Sequence, residues 1–325
     1  MPAELRIGSR PSALALAQAN QIKAMLERVV VGLKAVIVPI STSGDKMMTP
    51  SLARVGGKGL FIRELEQALT RGHIDIAIHS MKDLPAVISP EYRIAAVPCR
   101  ENSADALITR TGGGWNELSS GASVGTSSIR RQLEAIRFRP DLRLSPLRGN
   151  IDTRLKRLDA GDFDAIILAL AGLRRLGRCD GIGFVELDER DFVPSAGQGA
   201  LAVEAVAGPR IAGSEELEQA VVSINDRRAL MEISAERAFL AAIDASCVSP
   251  VGVKGTAEAD GLKLRALLFG QDGHESLDGE VFEPQAEGVS SPQSYDDTIR
   301  WAAALGSRLG QQMLERGAAE LLSHE

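Results

Sequence analysis

The chain has 325 residues, 44% of them hydrophobic and 25% charged, with a formal net charge of -6. That length calls for two or three domains with real cores, and the composition can fill them. The acidic balance excludes nonspecific nucleic-acid binding, no apolar run approaches the roughly 18 residues of a membrane span, and Cys99, Cys179 and Cys247 are too scattered for a disulfide framework or a zinc site.

In chain order, strand patterns are predicted at 5–8, 35–41, 74–79, 94–98, 106–109, 123–125, 142–147, 165–169 and 200–206. Helical periodicity is predicted between many of them, at 14–27, 60–71, 128–137, 153–160 and 173–177. The alternation reads as α/β. The N-terminus enters its first strand without a charged leader or cleavage site, so a cytoplasmic protein is expected. Composition breaks near 99–103 and 191–195 set off a middle unit, and the strand from Ala200 can return to the first sheet. The expected plan is two α/β lobes like those of periplasmic-binding proteins, 1–99 with 198–217 and 103–193, flanking a hinged cleft. After about residue 217 the texture changes: a helix at 225–242, strands at 250–255 and 262–269, and a helix at 295–316 predict a smaller α+β domain over 221–325.

Function shows first where Ile74-Asp75-Ile76-Ala77-Ile78-His79-Ser80-Met81-Lys82-Asp83 ends an apolar strand in a cation and a carboxylate, followed by Pro85. Polar groups just past the carboxyl end of a buried strand are where open α/β sheets bind ligands. Asp83 is therefore the first catalytic candidate, against the plain alternative of a solvated turn. Between Thr126 and Arg178 there are twelve cations, eleven of them arginines, and six carboxylates. Guanidinium groups grip carboxylates by paired hydrogen bonds, so a small polyanion is the expected ligand.

Three strand-to-helix junctions carry these arginines: Arg130 and Arg131 after Thr126 and Ser128, Arg148 and Arg154 around Gly149, and Arg174 and Arg175. Arginines in the first turn of a helix oppose its dipole unless an anion sits between them. Arg10 and Ser12, at the first such junction, are placed to face them across the cleft. Residues 43–59, rich in glycine, read as a flexible lid rather than a nucleotide loop, since Gly56-Gly57-Lys58-Gly59 lacks the Walker spacing. Gly197-Gln198-Gly199 precedes a strand rather than a helix, which argues against a dinucleotide site. Cys247, in a loop of small residues, is by itself a small buried hydrophobe and matters only if something is tethered there.

The ordered blocks Arg10-Pro-Ser12-Ala-Leu-Ala-Leu-Ala-Gln18, Val55-Gly-Gly-Lys58-Gly-Leu-Phe61, His79-Ser-Met-Lys-Asp83-Leu-Pro, Val124-Gly-Thr-Ser-Ser-Ile-Arg130-Arg131, Leu147-Arg-Gly-Asn-Ile-Asp-Thr-Arg154 and Pro194-Ser-Ala-Gly-Gln198-Gly-Ala closely resemble the porphobilinogen deaminase family. The resemblance covers most of residues 5–206 and is weaker beyond. It implies a dipyrromethane cofactor joined by a thioether to Cys247. It also implies head-to-tail condensation of four porphobilinogen molecules on that primer, with loss of ammonia, to give hydroxymethylbilane. Asp83 would be catalytic. Ser80, Lys82, Thr126, Ser128, Arg130, Arg131 and Arg148 would hold the cofactor; Arg10, Ser12, Gln18, Arg154, Arg175 and Gln198 would hold substrate or the growing chain; Lys58 and Phe61 would belong to the lid. No metal is implied, and a monomer is expected. Ala245-Ser246 before the cysteine, where the family more often has glycine, and Arg54 in place of a common lysine are departures. The competing class is a non-catalytic, two-lobed cytoplasmic anion sensor.

Overall fold

The computed structural model describes residues 4–42, 62–246, 249–270, 273–284 and 295–323. Two compact units emerge, Met1–Arg100 with Ala200–Ala229, and Glu101–Gly199 with Leu230–Glu325. The elements begin with β1 (Glu4–Ser9), α1 (Ala13–Val29), β2 (Lys34–Pro39), α2 (Arg63–Thr70), β3 (Ile76–Ser80) and β4 (Tyr92–Ala96). Next come β5 (Asp105–Thr109), β6 (Ser123–Gly125), α3 (Ile129–Phe138), β7 (Arg143–Ser145), α4 (Ile151–Asp159), β8 (Ala165–Ala169), α5 (Leu170–Arg175) and β9 (Phe184–Glu186). The chain continues with β10 (Leu201–Val206), α6 (Glu215–Ser223), α7 (Arg227–Ala242), β11 (Val251–Ala257), β12 (Gly261–Phe269), β13 (Ser276–Pro284), α8 (Tyr295–Glu315) and α9 (Ala318–Ser323).

The first unit holds a sheet in the order β2-β1-β3-β10-β4, the second a sheet in the order β7-β6-β8-β5-β9. In both, the first three strands are parallel and the fourth runs antiparallel to its two neighbours. One topology is therefore used twice, which is the doubled α/β plan of periplasmic-binding proteins. The smaller α+β part is the antiparallel sheet β11-β12-β13 with α7, α8 and α9, within the second unit.

Alternation decides what each strand buries. In the first unit Leu5, Ile7, Ile76, Ile78, Leu201 and Val203 pack with Ile22 and Leu26 of α1 and Val221 of α6. Ala77 and Ile74 turn the other way, onto Leu65, Ala68 and Leu69 of α2. Each fully buried Leu or Ile here contributes roughly 1.5–3 kcal/mol.

Where boundaries differ from the periodicity, hydrogen bonds explain it. The strand predicted over 142–147 is only β7, because Pro146 offers no N–H for the ladder. The strand predicted from residue 74 starts at Ile76, since the Ile74 amide donates to Ala68 O and Asp75 turns to bind Arg6. β9, α6, β13 and α9 had no predicted counterpart; β13 is an edge strand whose sequence, Ser276 to Pro284, alternates polar and weakly apolar residues around Gly279. Among the described residues no helix is long and apolar enough to cross a membrane.

Candidate active site

In the first unit β3 ends at Ser80 and the chain makes a 3₁₀ turn over Met81–Asp83. The turn is pinned from both sides. The Met81 amide donates to Ala200 O at 3.0 Å, and the Met81 and Leu84 side chains are buried, which leaves Asp83 outward and exposed. Asp83 lines a cavity of about 60 Å³ together with Arg10, Ser12, Gln18, His79 and Ser80. Ser12 also caps α1, its Oγ accepting from the Ala15 amide at 3.3 Å, and buried Gln18 donates from Nε2 to Ser80 Oγ at 2.8 Å. Five of the expected site residues, Arg10, Ser12, Gln18, Ser80 and Asp83, therefore meet at the carboxyl ends of β1 and β3. Lys82 is half-buried on the same turn and does not line the cavity.

In the second unit the corresponding strand ends carry the arginines. Thr126, just past β6, is buried, and its Oγ1 accepts from the Ser128 amide; Ser128 in turn caps α3 without a side-chain hydrogen bond. Arg130 and Arg131 are 3% and 6% exposed, so they do not reach for water. The anion that their position in the first helical turn demands is supplied by the protein. Asp105, wholly buried at the start of β5, accepts from Arg130 Nη2 at 2.8 Å and from Arg131 Nε at 3.0 Å. Glu134, one turn along α3, accepts from Arg130 Nη1 at 2.6 Å.

Burial pushes the Asp105 carboxyl up, but Arg130 and Arg131 outweigh it and hold the group well below the usual carboxylate range. Burial pushes Glu134 up to about 8 against the pull of Arg130, with Asp105 adding to the rise. Gln198 is also wholly buried, its Nε2 donating to Ser103 O and Asp105 Oδ1 at 2.7 Å each and its Oε1 accepting from Arg131 at 3.1 Å. Its neighbour Gly199 has φ +87°, and a Cβ there would stand 2.2 Å from Glu101 O, so only glycine lets this loop close.

Arg154 and Arg175 differ from that pair. Arg154 Nε donates to Gly149 O at 2.8 Å and Arg175 Nη2 to Gly199 O at 2.6 Å, and neither has a carboxylate partner among the described residues. Arg175 Nε is buried with no hydrogen-bond partner among the described residues. Burial lowers the pKa of both, with Arg131 adding to the effect at Arg154 and Glu101 opposing it at Arg175. A half-buried guanidinium that no carboxylate pairs directly suits a ligand that brings carboxylates. Arg148, exposed before the Asn150 cap of α4, also has no carboxylate partner among the described residues. Arg174, by contrast, is tied to Glu101 at 2.9 Å.

Lys58, Phe61 and Cys247 lie outside the described residues, as does the lid region 43–59. On either side of Cys247 and Val248, Ser246 and Ser249 are joined: the Ser249 amide donates to Ser246 O and the Ser246 amide to Ser249 Oγ, both at 3.0 Å. Cys99 is exposed, and burial pushes the half-buried Cys179 thiol up. Periodicity gave no sign of Asp105 or Glu134. The available signal was a carboxylate opening an apolar strand, Asp105-Ala-Leu-Ile, and a Glu four residues after Arg130.

The family described as "Porphobilinogen deaminase, dipyromethane cofactor binding domain" matches residues 5–212, and its C-terminal domain matches residues 230–315. The chain belongs to the porphobilinogen deaminase family. It is 42% identical to the porphobilinogen deaminase of Sorangium cellulosum, over 96% of this chain and 99% of that one. It is 38% identical to that of Syntrophotalea carbinolica, over 98% and 95%. Among solved structures, the periplasmic aliphatic sulphonate binding protein SsuA from Escherichia coli is similar at 16% identity and a TM-score of 0.40, over 74% of this chain and 70% of that one. As a porphobilinogen deaminase the chain is a transferase of tetrapyrrole biosynthesis with a dipyrromethane cofactor, and the anion-sensor alternative is not favoured.

Proposed function

We propose that this porphobilinogen deaminase joins four porphobilinogen molecules head to tail, with release of ammonia, through Asp83 and a divided set of arginines. The carrying observation is the cavity that brings Asp83 together with Arg10, Ser12, Gln18 and Ser80. As ammonia leaves the aminomethyl group of the substrate, positive charge develops on the pyrrole. An Asp83 carboxylate beside the pyrrole nitrogen stabilises that charge and holds the proton that must be moved. Arg10 and Ser12 bind and orient the substrate's acidic arms, and the Gln18–Ser80 hydrogen bond stiffens the wall behind them.

Cys247 would hold the dipyrromethane, which would supply the pyrrole carbon to which the first substrate is joined. The cofactor's acetate and propionate groups, and those of each added ring, fit the half-buried arginines that lack carboxylates. Arg148, Lys82, Thr126 and Ser128 hold the cofactor, while Arg154 and Arg175 take the growing chain. Arg130 and Arg131 serve the cofactor from within the Asp105 network, and Gln198 acts by orienting Arg131 rather than by meeting the substrate itself. Lys58 and Phe61 belong to a lid. The working protein is a cytoplasmic monomer of three domains, 1–99 with 198–217, 103–193 and 221–325.

Intact-mass measurement and turnover of the holoenzyme, Cys247→Ala and Asp83→Ala test this together. The expected result is a pyrrolic adduct on wild type and Asp83→Ala, none on Cys247→Ala, and a loss of turnover of about 10²–10⁴-fold in Asp83→Ala. An unmodified holoenzyme would overturn the attachment, and near-normal bilane production by Asp83→Ala would remove Asp83 from the mechanism.

A further inference from the structure

Glu236, wholly buried on α7, has no part in the reaction as assigned above. Its Oε2 accepts from the Gly197 amide at 2.7 Å and its Oε1 from the Gly255 amide at 2.8 Å. The helix itself does not call for a carboxylate there, since an apolar side chain would cost less to bury. The two amides do, because an apolar replacement would strand both of these buried donors. One of them belongs to the edge strand β11, whose amides at Val253, Gly255 and Ala257 are not taken up by β12. Val253 donates to Pro194 O at 2.8 Å, Gly255 to Glu236, and Ala257 to Glu232 Oε1 at 3.1 Å. Glu232 and Glu236, one turn apart on α7, thus close the open edge of that sheet. The second oxygen of Glu236 goes further, to Gly197.

Gly197 lies in residues 193–199, which are buried apart from half-buried Ser195. The arginines hold this segment at other points. Val193 O accepts from Arg130 Nη1 at 2.9 Å, the Gln198 side chain binds Arg131 and Asp105, and Gly199 O accepts from Arg175 Nη2 at 2.6 Å. Gly197 and Gly199 have φ of +72° and +87°, a conformation that glycine adopts freely and does not enforce. The backbone on either side of Gln198 is therefore set by hydrogen bonds from its surroundings. From the α+β part these are Val253 on Pro194 and Glu236 on Gly197, two residues from the carbonyl that Arg175 grips.

We propose that Glu236 is a positioning residue for Arg175: by tying Gly197 to α7 and β11 it fixes the Gly199 carbonyl that orients the Arg175 guanidinium towards the acidic groups of the growing chain. The inference rests on Arg175 being a ligand of that chain. A guanidinium held ready loses less freedom when it takes a carboxylate, so loosening its support weakens binding more than it slows the chemical step. Cys247 falls in sequence between α7 and β11, the two elements that Glu236 joins.

The test compares kcat and KM for porphobilinogen in holoenzyme, its adduct verified by intact mass, of wild type, Glu236→Ala, Glu232→Ala, Arg175→Ala and the double variant of Glu236→Ala with Arg175→Ala. Glu236→Ala is expected to raise KM about fivefold and to keep kcat within about twofold. Glu232→Ala, which loses a bond on the same strand edge, keeps KM within about twofold, an outcome that a purely structural role would not separate from that of Glu236→Ala. Added to Arg175→Ala, Glu236→Ala raises KM by less than about twofold, because the residue it acts through is gone. An unchanged KM in Glu236→Ala, an equal rise in Glu232→Ala, or the full factor surviving in the double variant overturns the proposal. If Glu236→Ala does not fold or carries no adduct, hydrogen exchange of wild-type holoenzyme with and without porphobilinogen decides. Slower exchange in 193–199 and 251–257 together is then expected, and protection that leaves 251–257 unchanged overturns the proposal. An Arg175→Ala enzyme with the KM of wild type would remove the reading beneath this inference, whereas a raised KM in Arg175→Ala beside an unchanged one in Glu236→Ala would remove the inference alone.

Discussion

The two five-stranded sheets have the same order and the same strand directions, yet their equivalent strand ends carry opposite chemistry. Past β3 stands the carboxylate Asp83; past β8, in the same place of the other sheet, stands α5 with Arg174 and Arg175. Past β1 come Arg10 and the Ser12 cap, and past β6 come Thr126, Ser128 and two arginines held by internal carboxylates. Topology supplies equivalent stations at the carboxyl ends of parallel strands. Which charge occupies a station, and whether the protein neutralises it internally, is decided by single residues. The second unit makes this plain, because it contains both an internally compensated arginine pair and arginines left for a ligand.

The largest expected effect comes from removing the compensation. Asp105→Ala leaves Arg130 and Arg131 buried against one remaining carboxyl, and should destabilise the protein by about 3–5 kcal/mol in urea unfolding. A loss below about 1 kcal/mol would mean that the pair is not internally compensated. Next, Arg175→Ala and Arg154→Ala should each raise the KM for porphobilinogen by about tenfold or more, with little loss of stability. Arg174→Ala, one residue away but paired to Glu101 on the surface, should stay within about twofold in KM. Equal effects of Arg174→Ala and Arg175→Ala would erase the distinction between compensated and uncompensated arginines.

The smallest effect is a pH dependence. Glu134 holds its proton in the folded state up to about pH 8 and loses it in the unfolded chain near the ordinary glutamate value. Between those values the folded state binds the extra proton, so this group's contribution is full at low pH and declines as pH rises towards 8. Asp105 acts oppositely, its contribution being present above the ordinary aspartate value and lost as pH falls below it. Glu134→Gln should flatten the decline between about pH 5 and 8 in thermal unfolding while leaving the acid limb unchanged. A decline as steep as that of wild type would assign it to another group.

Much of this molecule is legible in its residues. Strong alternation and uninterrupted apolar runs placed β1, β6, β8 and β10 within a residue, because each is buried on both faces and its periodicity has no competing signal. Edge elements such as β9, only three residues long, and β13, whose exposed face is mostly polar, carry no such signal. Asp83 was also legible, since a carboxylate and a proline ending an apolar strand is a local pattern. The arginine surplus was visible, but its partition was not.

That partition separates what sequence determines by itself from what tertiary structure decides. The kind of ligand follows from composition: guanidinium groups concentrated in one stretch of an acidic chain call for an anion wherever they fold. Whether a given guanidinium is spoken for depends on carboxylates far along the chain. Arg131 meets Asp105 and Gln198, and His79 meets Glu204, 125 residues apart. Desolvation and Coulomb attraction act over a few ångströms of space and take no account of sequence separation, so only the folded chain can assign these partners.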